Sequence, residues 1–308
     1  MSYPSGSYSV AVASLNPGTT YYYRAVIQHG TKDYYGEVMS FQTQSAQQPS
    51  DVPGWLELPY VTTGADFHVG YLGSGSTRNY SYLYDKANYT ALWSAYPLTG
   101  ETGSSKSTSW SYNPDIPMDC QIDVKNSSYG TNYGSTAYNR GHQVPAGDRT
   151  QNSTVRSQVY YLTNQTPQLE AFNGNIWASL ENAVRGQATQ TDTLYVVTGA
   201  SFRKVGGNET IKHLTGNGVT PASIPVPNYY WKVLLKVKRN SAKQVTSASA
   251  IGFWFEHKTY ANGSSYTDYA VSVDQIESFT GFDFFANLPE SCEASCETNS
   301  SWTSFTNF

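Results

Sequence analysis

The sequence predicts an α+β protein built on a largely antiparallel sheet, and three observations carry that prediction. First, "TLYVVTGASF" (193–202), "YYWKVLLKVKR" (229–239) and "SASAIGFWFEH" (247–257) are rich in β-branched and aromatic residues and read as central strands. Second, Phe172, Ile176, Trp177, Leu180 and Val184 build one apolar stripe at helical spacing between 168 and 185, with Gly186 as its stop. Third, 26 tyrosines and 25 glycines in 308 residues, with only 14% charged residues, fit pleated faces and turns more than long charged helices.

The first 45 residues read as strands. Tyr21, Tyr23, Ala25 and Ile27 alternate with more polar positions, and Pro17-Gly18 supplies a turn before them. The run Leu15, Pro17-Gly18-Thr19, Tyr21 resembles the end of a fibronectin type III domain, where a tyrosine corner opens a late strand. Three strands' worth of such a sandwich predicts a partial β segment over 1–45, whose first half is missing from this chain. Residues 46–54, within "QSAQQPSDVPG", read as a linker, and 55–308 as the main domain.

Composition and charge bound the partners. A net charge of −4 excludes coating of nucleic acid through bulk positive charge, while leaving room for a local basic site. No apolar run reaches the roughly 18 residues of a membrane span, so no membrane insertion is expected, and "MSYPSGSYSV" lacks the regions of a signal peptide. The polar, tyrosine-rich composition nevertheless fits a secreted or cell-surface bacterial protein, N-terminally truncated as it stands here. Of three cysteines, Cys292 and Cys296 are close enough in sequence to bridge or stand as two free thiols, and Cys120 is the odd one. Without neighbouring histidines they make a poor zinc site.

Among five histidines, one sits in "YNRGHQVPAGDR" (138–149), beside Arg140 and Gly141. By itself a loop histidine caps a turn. On a strand, however, Arg140 and His142 would face the same side. Downstream, Asn173, Trp177 and Glu181 are four apart, so on a helix they follow a slowly drifting line. At about 1.5 Å per residue, Asn173 and Glu181 are about 12 Å apart along the axis, so one would bind a small ion and the other act through water. His29, His68, His213 and His257 lack ligand-spaced partners and read as packing or surface residues.

The segment "YNRGHQVPAGDR" followed by "YYLTNQTPQLEAFNGNIWASLENAVR" resembles the DNA/RNA non-specific endonucleases, the ββα-metal family that includes the Serratia and endonuclease G types. The resemblance extends to "RNYSYLYDKANYTALWSAYPL", "LYVVTGASF" and "ESFTGFDFFANLP", covering about residues 55 to 290. It implies a ββα-metal nuclease fold with a central antiparallel sheet flanked by helices. It also implies hydrolysis of DNA and RNA, leaving 5′-phosphate and 3′-hydroxyl ends.

By that resemblance His142 is the general base and Asn173 the Mg²⁺ ligand, with Mn²⁺ as a substitute. Arg140 clamps the phosphate, Glu181 holds a metal-bound water and Asn164 orients the site. Lys106, Arg149 and Arg185 are candidates for backbone phosphates. An inhibitor protein or a homodimer is a further candidate partnership. The chemistry suits these residue types. An imidazole near its usual pKa of about 6.5 accepts a proton from water, and an acid limb of activity is expected near there. Mg²⁺ takes oxygen ligands and keeps several waters, so one amide oxygen is a sufficient anchor.

Two positions depart from the family pattern. Asn139 stands where an Asp is usual, removing a charge beside the base, so Asn139→Asp is expected to move the acid limb to higher pH. Ahead of Trp110, "SSKSTSW" offers Lys106 in place of an arginine, a point charge without the guanidinium fork. The competing reading is a surface-binding or scaffold protein with an inactive nuclease-like domain; the combined Arg140, His142 and Asn173 argue against it.

Overall fold

The computed structural model describes residues 20–43, 51–61, 64, 66–100, 109–150, 152–191 and 193–308. The turn at Pro17-Gly18 and Lys106 lie outside them. Two compact units emerge, Met1–Ala46 and Gln47–Phe308.

In the first unit, β1 (Thr20–Tyr23), β2 (Val26–His29), β3 (Lys32–Tyr35) and β4 (Met39–Gln42) form two antiparallel ribbons, β1 with β4 and β2 with β3. The alternation from Tyr21 to Ile27 suits extended backbone. The structure breaks it at Arg24-Ala25, because its two halves pair with different partners.

The second unit opens with a meander, β5 (Phe67–Ser74), β6 (Thr77–Asp85) and β7 (Thr90–Leu98). There follow α1 (Tyr129–Tyr133), β8 (Tyr138–His142), α2 (Ser153–Gln158) and β9 (Gln165–Leu169). A helix then runs without a break through α3 (Glu170–Phe172), a π turn (Asn173–Trp177) and α4 (Ala178–Ala188). The chain continues through β10 (Leu194–Ser201), the short ribbon β11 (His213–Thr215) and β12 (Ser223–Pro225), then β13 (Tyr229–Arg239), β14 (Val245–Glu256) and β15 (Ala270–Val271). It ends in α5 (Val273–Thr280), α6 (Glu290–Cys296) and α7 (Trp302–Thr306). Among the described residues none of these helices is long and apolar enough to cross a membrane.

Among the described residues the central sheet has seven strands in the order β15-β14-β13-β10-β7-β6-β5, every neighbouring pair antiparallel. An antiparallel sheet can leave one face to solvent, but here apolar residues alternate to both faces and both are covered. On β13, Tyr230 and Leu234 join the core under α4, with Phe172, Trp177, Leu180 and Val184 from the helix. Trp231, Val233 and Leu235 join the opposite core with Val273, Ile276, Phe284 and Cys296. The helical stripe therefore buries one face, and α5 and α6 bury the other.

Two boundaries differ from the sequence reading. Residues 165–169 pair with β8 as a strand, so the helix begins at Glu170 and not at 168. At the other end the helix continues past Gly186 to Ala188, because Gln187 and Ala188 are buried and packing outweighs the roughly 1 kcal/mol that glycine costs a helix.

Candidate active site

The hairpin of β8 and β9 joins the helix directly, and this strand-strand-helix unit carries the residues that the sequence singles out. Tyr138 pairs with Leu169 and His142 with Gln165, so Tyr138, Arg140 and His142 project from one face and Asn139 and Gly141 from the other. Gly141 is demanded by the second face: a Cβ there would stand 2.3 Å from Oε1 of Gln168. Asn139 also points away from His142, so its missing negative charge acts across the strand and not beside the imidazole.

His142 closes the strand inside an aromatic clamp. Its ring centroid lies 4.7 Å from Trp110 and 5.2 Å from Tyr160, the latter edge-on at 90°. Trp110 is held there by its neighbour: the Ser111 N–H donates to Tyr160 (3.1 Å) and the Ser111 carbonyl accepts from Leu162 (2.9 Å). The Nε2 of His142 is buried without a hydrogen-bond partner. Burial first, and the Arg140 cation second, pull the imidazole down to about 4. The acid limb expected near the reference value is corrected downward for that reason: desolvation penalises the charged ring.

Arg140 stacks over Trp110 with its guanidinium carbon 5.1 Å from the ring centroid. Its Nη1 donates to the carbonyl of Val124 (2.8 Å), with longer contacts to Lys125 and Ser127 (both 3.4 Å). Among the described residues no hydrogen bond occupies its Nε or Nη2, which leaves one edge of the fork available. Asn164 is buried and brackets Val144: its Oδ1 accepts from the Val144 N–H (2.9 Å) and its Nδ2 donates to the Val144 carbonyl (3.0 Å) and to Val159 (2.8 Å). It fixes the path of the chain two residues beyond His142.

The helix start is pinned from two sides. The Glu170 N–H donates to Ala137, and the Leu169 N–H donates to Nε2 of His257 (2.7 Å), whose Nδ1 donates to the Pro227 carbonyl (2.8 Å). An Nε2 that accepts must be bare, so His257 is the neutral Nδ1–H tautomer. Burial holds it at about 4. From the sequence His257 reads as a packing or surface residue because it lacks a ligand-spaced partner; a clamp between two backbone segments needs none.

Asn173 opens the π turn. Among the described residues its half-buried side chain makes no hydrogen bond, and none joins it to His142. In a regular helix Asn173 and Glu181 would diverge by about 80°. A π turn holds more residues, which retards the rotation and returns the two toward one line.

The candidate charged residues have partners within the fold. Glu181 is half-buried near Lys232, Asp148 and Arg185, with burial raising its pKa and Lys232 opposing that rise. Lys232 is buried beneath the helix, donating to Thr198 Oγ1 (2.9 Å) with its Nζ 4.5 Å from the Trp177 ring centroid. Arg149 is 5% exposed and donates to Asn79 (2.7 and 2.9 Å), Asp148 (2.8 Å) and Pro97 (2.8 Å), so it knits strands and loop together rather than meeting a phosphate. Arg185 pairs with Asp148 (2.8 Å) and donates to Asn182 (2.7 Å), so its charge is already answered. Cys292 and Cys296, one turn apart on α6, are free thiols, as is Cys120.

Residues 63–291 match the profile of the family described as DNA/RNA non-specific endonuclease. The chain is 31% identical over 212 residues to a nuclease of Serratia marcescens, an alignment covering 68% of this chain and 73% of that one. It is 26% identical over 216 residues to the mitochondrial nuclease 1 of Schizosaccharomyces pombe, covering 68% of this chain and 65% of that relative's length. In fold it is similar to a chain of the solved EndoG/EndoGI complex, with TM-score 0.55, 23% identity and coverage of 73% of this chain and 88% of that one.

Proposed function

The chain belongs to the DNA/RNA non-specific endonuclease family, and from that premise we propose that it is a Mg²⁺-dependent endonuclease with His142 as general base and Asn173 as metal ligand. The observation that carries this reading is the state of His142: an imidazole held rigidly between two rings, neutral, with Nε2 unpartnered. A buried polar nitrogen without a partner costs folding free energy, on the order of 1–3 kcal/mol, and its retention suits a site that meets its partner only when substrate arrives.

The residues fit a hard divalent cation. Asn173 offers an amide oxygen that no donor occupies among the described residues, and Glu181, further along the same helix, would hold a metal-bound water. A bound cation would supply charge relief at the phosphate and at the departing oxygen. His142 takes the proton of the attacking water as the water oxygen bonds to phosphorus. The bond from phosphorus to the 3′ oxygen then breaks, the departing oxygen takes a proton from solvent water, and a 5′-phosphate and a 3′-hydroxyl remain. Arg140 presents its free edge to a non-bridging phosphate oxygen, a charge-assisted contact. Contacts of this kind address the backbone, which carries no base sequence, so both DNA and RNA are accepted.

The test is cleavage of plasmid DNA and of RNA by the full chain with Mg²⁺ or EDTA, alongside His142→Ala. Cleavage of both polymers that requires Mg²⁺ and His142 is expected. A folded parent that cuts neither would favour the scaffold reading instead.

A further inference from the structure

Across the sheet from the hairpin, α5 and α6 bring several carboxylates together without a cation of their own. Asp274, Glu277 and Glu297 each place a carboxylate oxygen within 4.8 Å of the other two. Glu277 is 6% and Glu297 1% exposed. Asp274 and Glu277 stand one turn apart on α5, and Glu297 caps α6. The backbone holds the two helices in this arrangement: the Glu297 carbonyl accepts from the Val273 N–H (2.9 Å) and more weakly from Asp274 (3.4 Å).

Among the described residues no lysine or arginine forms a salt bridge with Asp274, Glu277 or Glu297. Burial first, and then neighbouring acids, push both carboxyls up: Asp274, Asp283 and Glu293 act on each, and Glu277 acts on Glu297 as well, with the Phe284 N–H opposing the rise at Glu277. Glu277 has one protein donor, the Phe284 N–H at 2.8 Å on Oε1. Glu297 has a carboxylate oxygen, Oε1, that is buried without any hydrogen-bond partner. Packing like charges in the interior costs several kcal/mol per ion unless an opposite charge joins them.

We propose that Asp274, Glu277 and Glu297 form a structural Ca²⁺ site that fastens α6 to α5, separate from the nuclease centre. All donors are oxygens, as a hard cation requires, and at about 2.4 Å from Ca²⁺ two ligand oxygens are at most about 4.8 Å apart. The unpartnered Oε1 of Glu297 would gain the ion as its partner. Asp274, the least buried of the three, gives the ion its way in from solvent. Ca²⁺ suits the site better than Mg²⁺, which keeps several waters and resists a nearly dry carboxylate cage.

The experiment uses the purified full chain stripped with EDTA, titrated with CaCl₂ by calorimetry in excess Mg²⁺ and melted with and without Ca²⁺. One saturable Ca²⁺ site and a Ca²⁺-dependent rise in Tm are expected. Both should persist in Asn173→Ala. Glu297→Gln should weaken Ca²⁺ binding by roughly 10–100-fold or more. If that variant does not fold, Asp274→Asn, at a more exposed position, gives the same reading. Absence of Ca²⁺ binding in the folded parent overturns the proposal. So does binding that is unchanged in the carboxylate variants, or binding that Asn173→Ala abolishes, which would assign the ion to the nuclease centre.

Discussion

His142 ends β8 and His257 follows the end of β14, and burial, which penalises the charged ring, pulls both imidazoles down to about 4. Their hydrogen bonds are opposite. His257 has both nitrogens satisfied, one by the Leu169 N–H and one by Pro227, whereas the Nε2 of His142 has no partner. A depressed pKa therefore does not separate a clamp from a proposed base; the two rings differ in their donors and acceptors. The same distinction divides two acids, the half-buried Glu181 and the buried Glu297. Glu181 has Lys232 and Arg185 near it, while Glu297 faces only acids.

The sharpest way to break the comparison is to delete each ring. His142→Ala is expected to lower the cleavage rate by roughly 10²–10⁴ with little loss of stability, as general-base catalysis predicts. Initial rates on plasmid measure this, and a parental rate would end the proposed mechanism. Asn173→Ala comes next. It should abolish turnover or push the Mg²⁺ requirement into the millimolar range, on the order of a weakly held ion. An unchanged Mg²⁺ titration would move the ligand to another residue, Glu181 first.

His257→Ala should act on stability instead. It leaves the buried Leu169 N–H without an acceptor, a loss of about 1–3 kcal/mol in urea unfolding. Cleavage by the folded fraction should fall far less than in His142→Ala. If the two variants lose rate equally, the clamp and the base are not separable.

Acid sharpens the same contrast. Both histidines have folded values near 4, below the unfolded value of about 6.5, so the unfolded chain binds more protons between those limits. Stability is complete above about pH 6.5 and falls toward pH 4, by roughly 1.4 kcal/mol per unit for each ring. In His257→Ala that dependence should be shallower, seen as a smaller gap to the parent at about pH 5 than at neutral pH. Activity of the parent should persist below about pH 6, since the base at His142 protonates only near 4. An acid limb at about 6.5 would show that His142 is solvated in the working enzyme.

The smallest effect is expected at the N-terminus. The candidate site residues lie after Met1–Ala46, which forms a compact unit by itself. A chain beginning near Pro53 should cut at close to the parental rate, and a folded truncation without activity would contradict that division.

The helix of the strand-strand-helix unit and three strands of the central sheet were legible because their signals are local, whereas the pairing of β8 with β9 was not. The apolar stripe from Phe172 to Val184 follows helical periodicity, and the runs at 194–201, 229–239 and 245–256 follow composition that only a buried sheet explains. Arg140, His142 and Asn173 stood out because each residue type suits phosphodiester chemistry and their order matches a family. What the sequence could not decide was which charges are already answered. Arg149 and Arg185 look like free cations in a string of letters; folding set them against Asn79, Pro97 and Asp148, residues distant in sequence. His257 meets Leu169 across 88 positions, Lys232 comes to lie beneath Glu181 only through the register of β13, and Glu297 reaches Asp274 only because α6 folds back on α5. Periodicity and residue chemistry are properties of neighbours along the chain, so the sequence determined the elements and the candidate chemistry. Burial and pairing are properties of neighbours in space, so only the tertiary structure decided which polar groups hold the fold and which remain for a ligand.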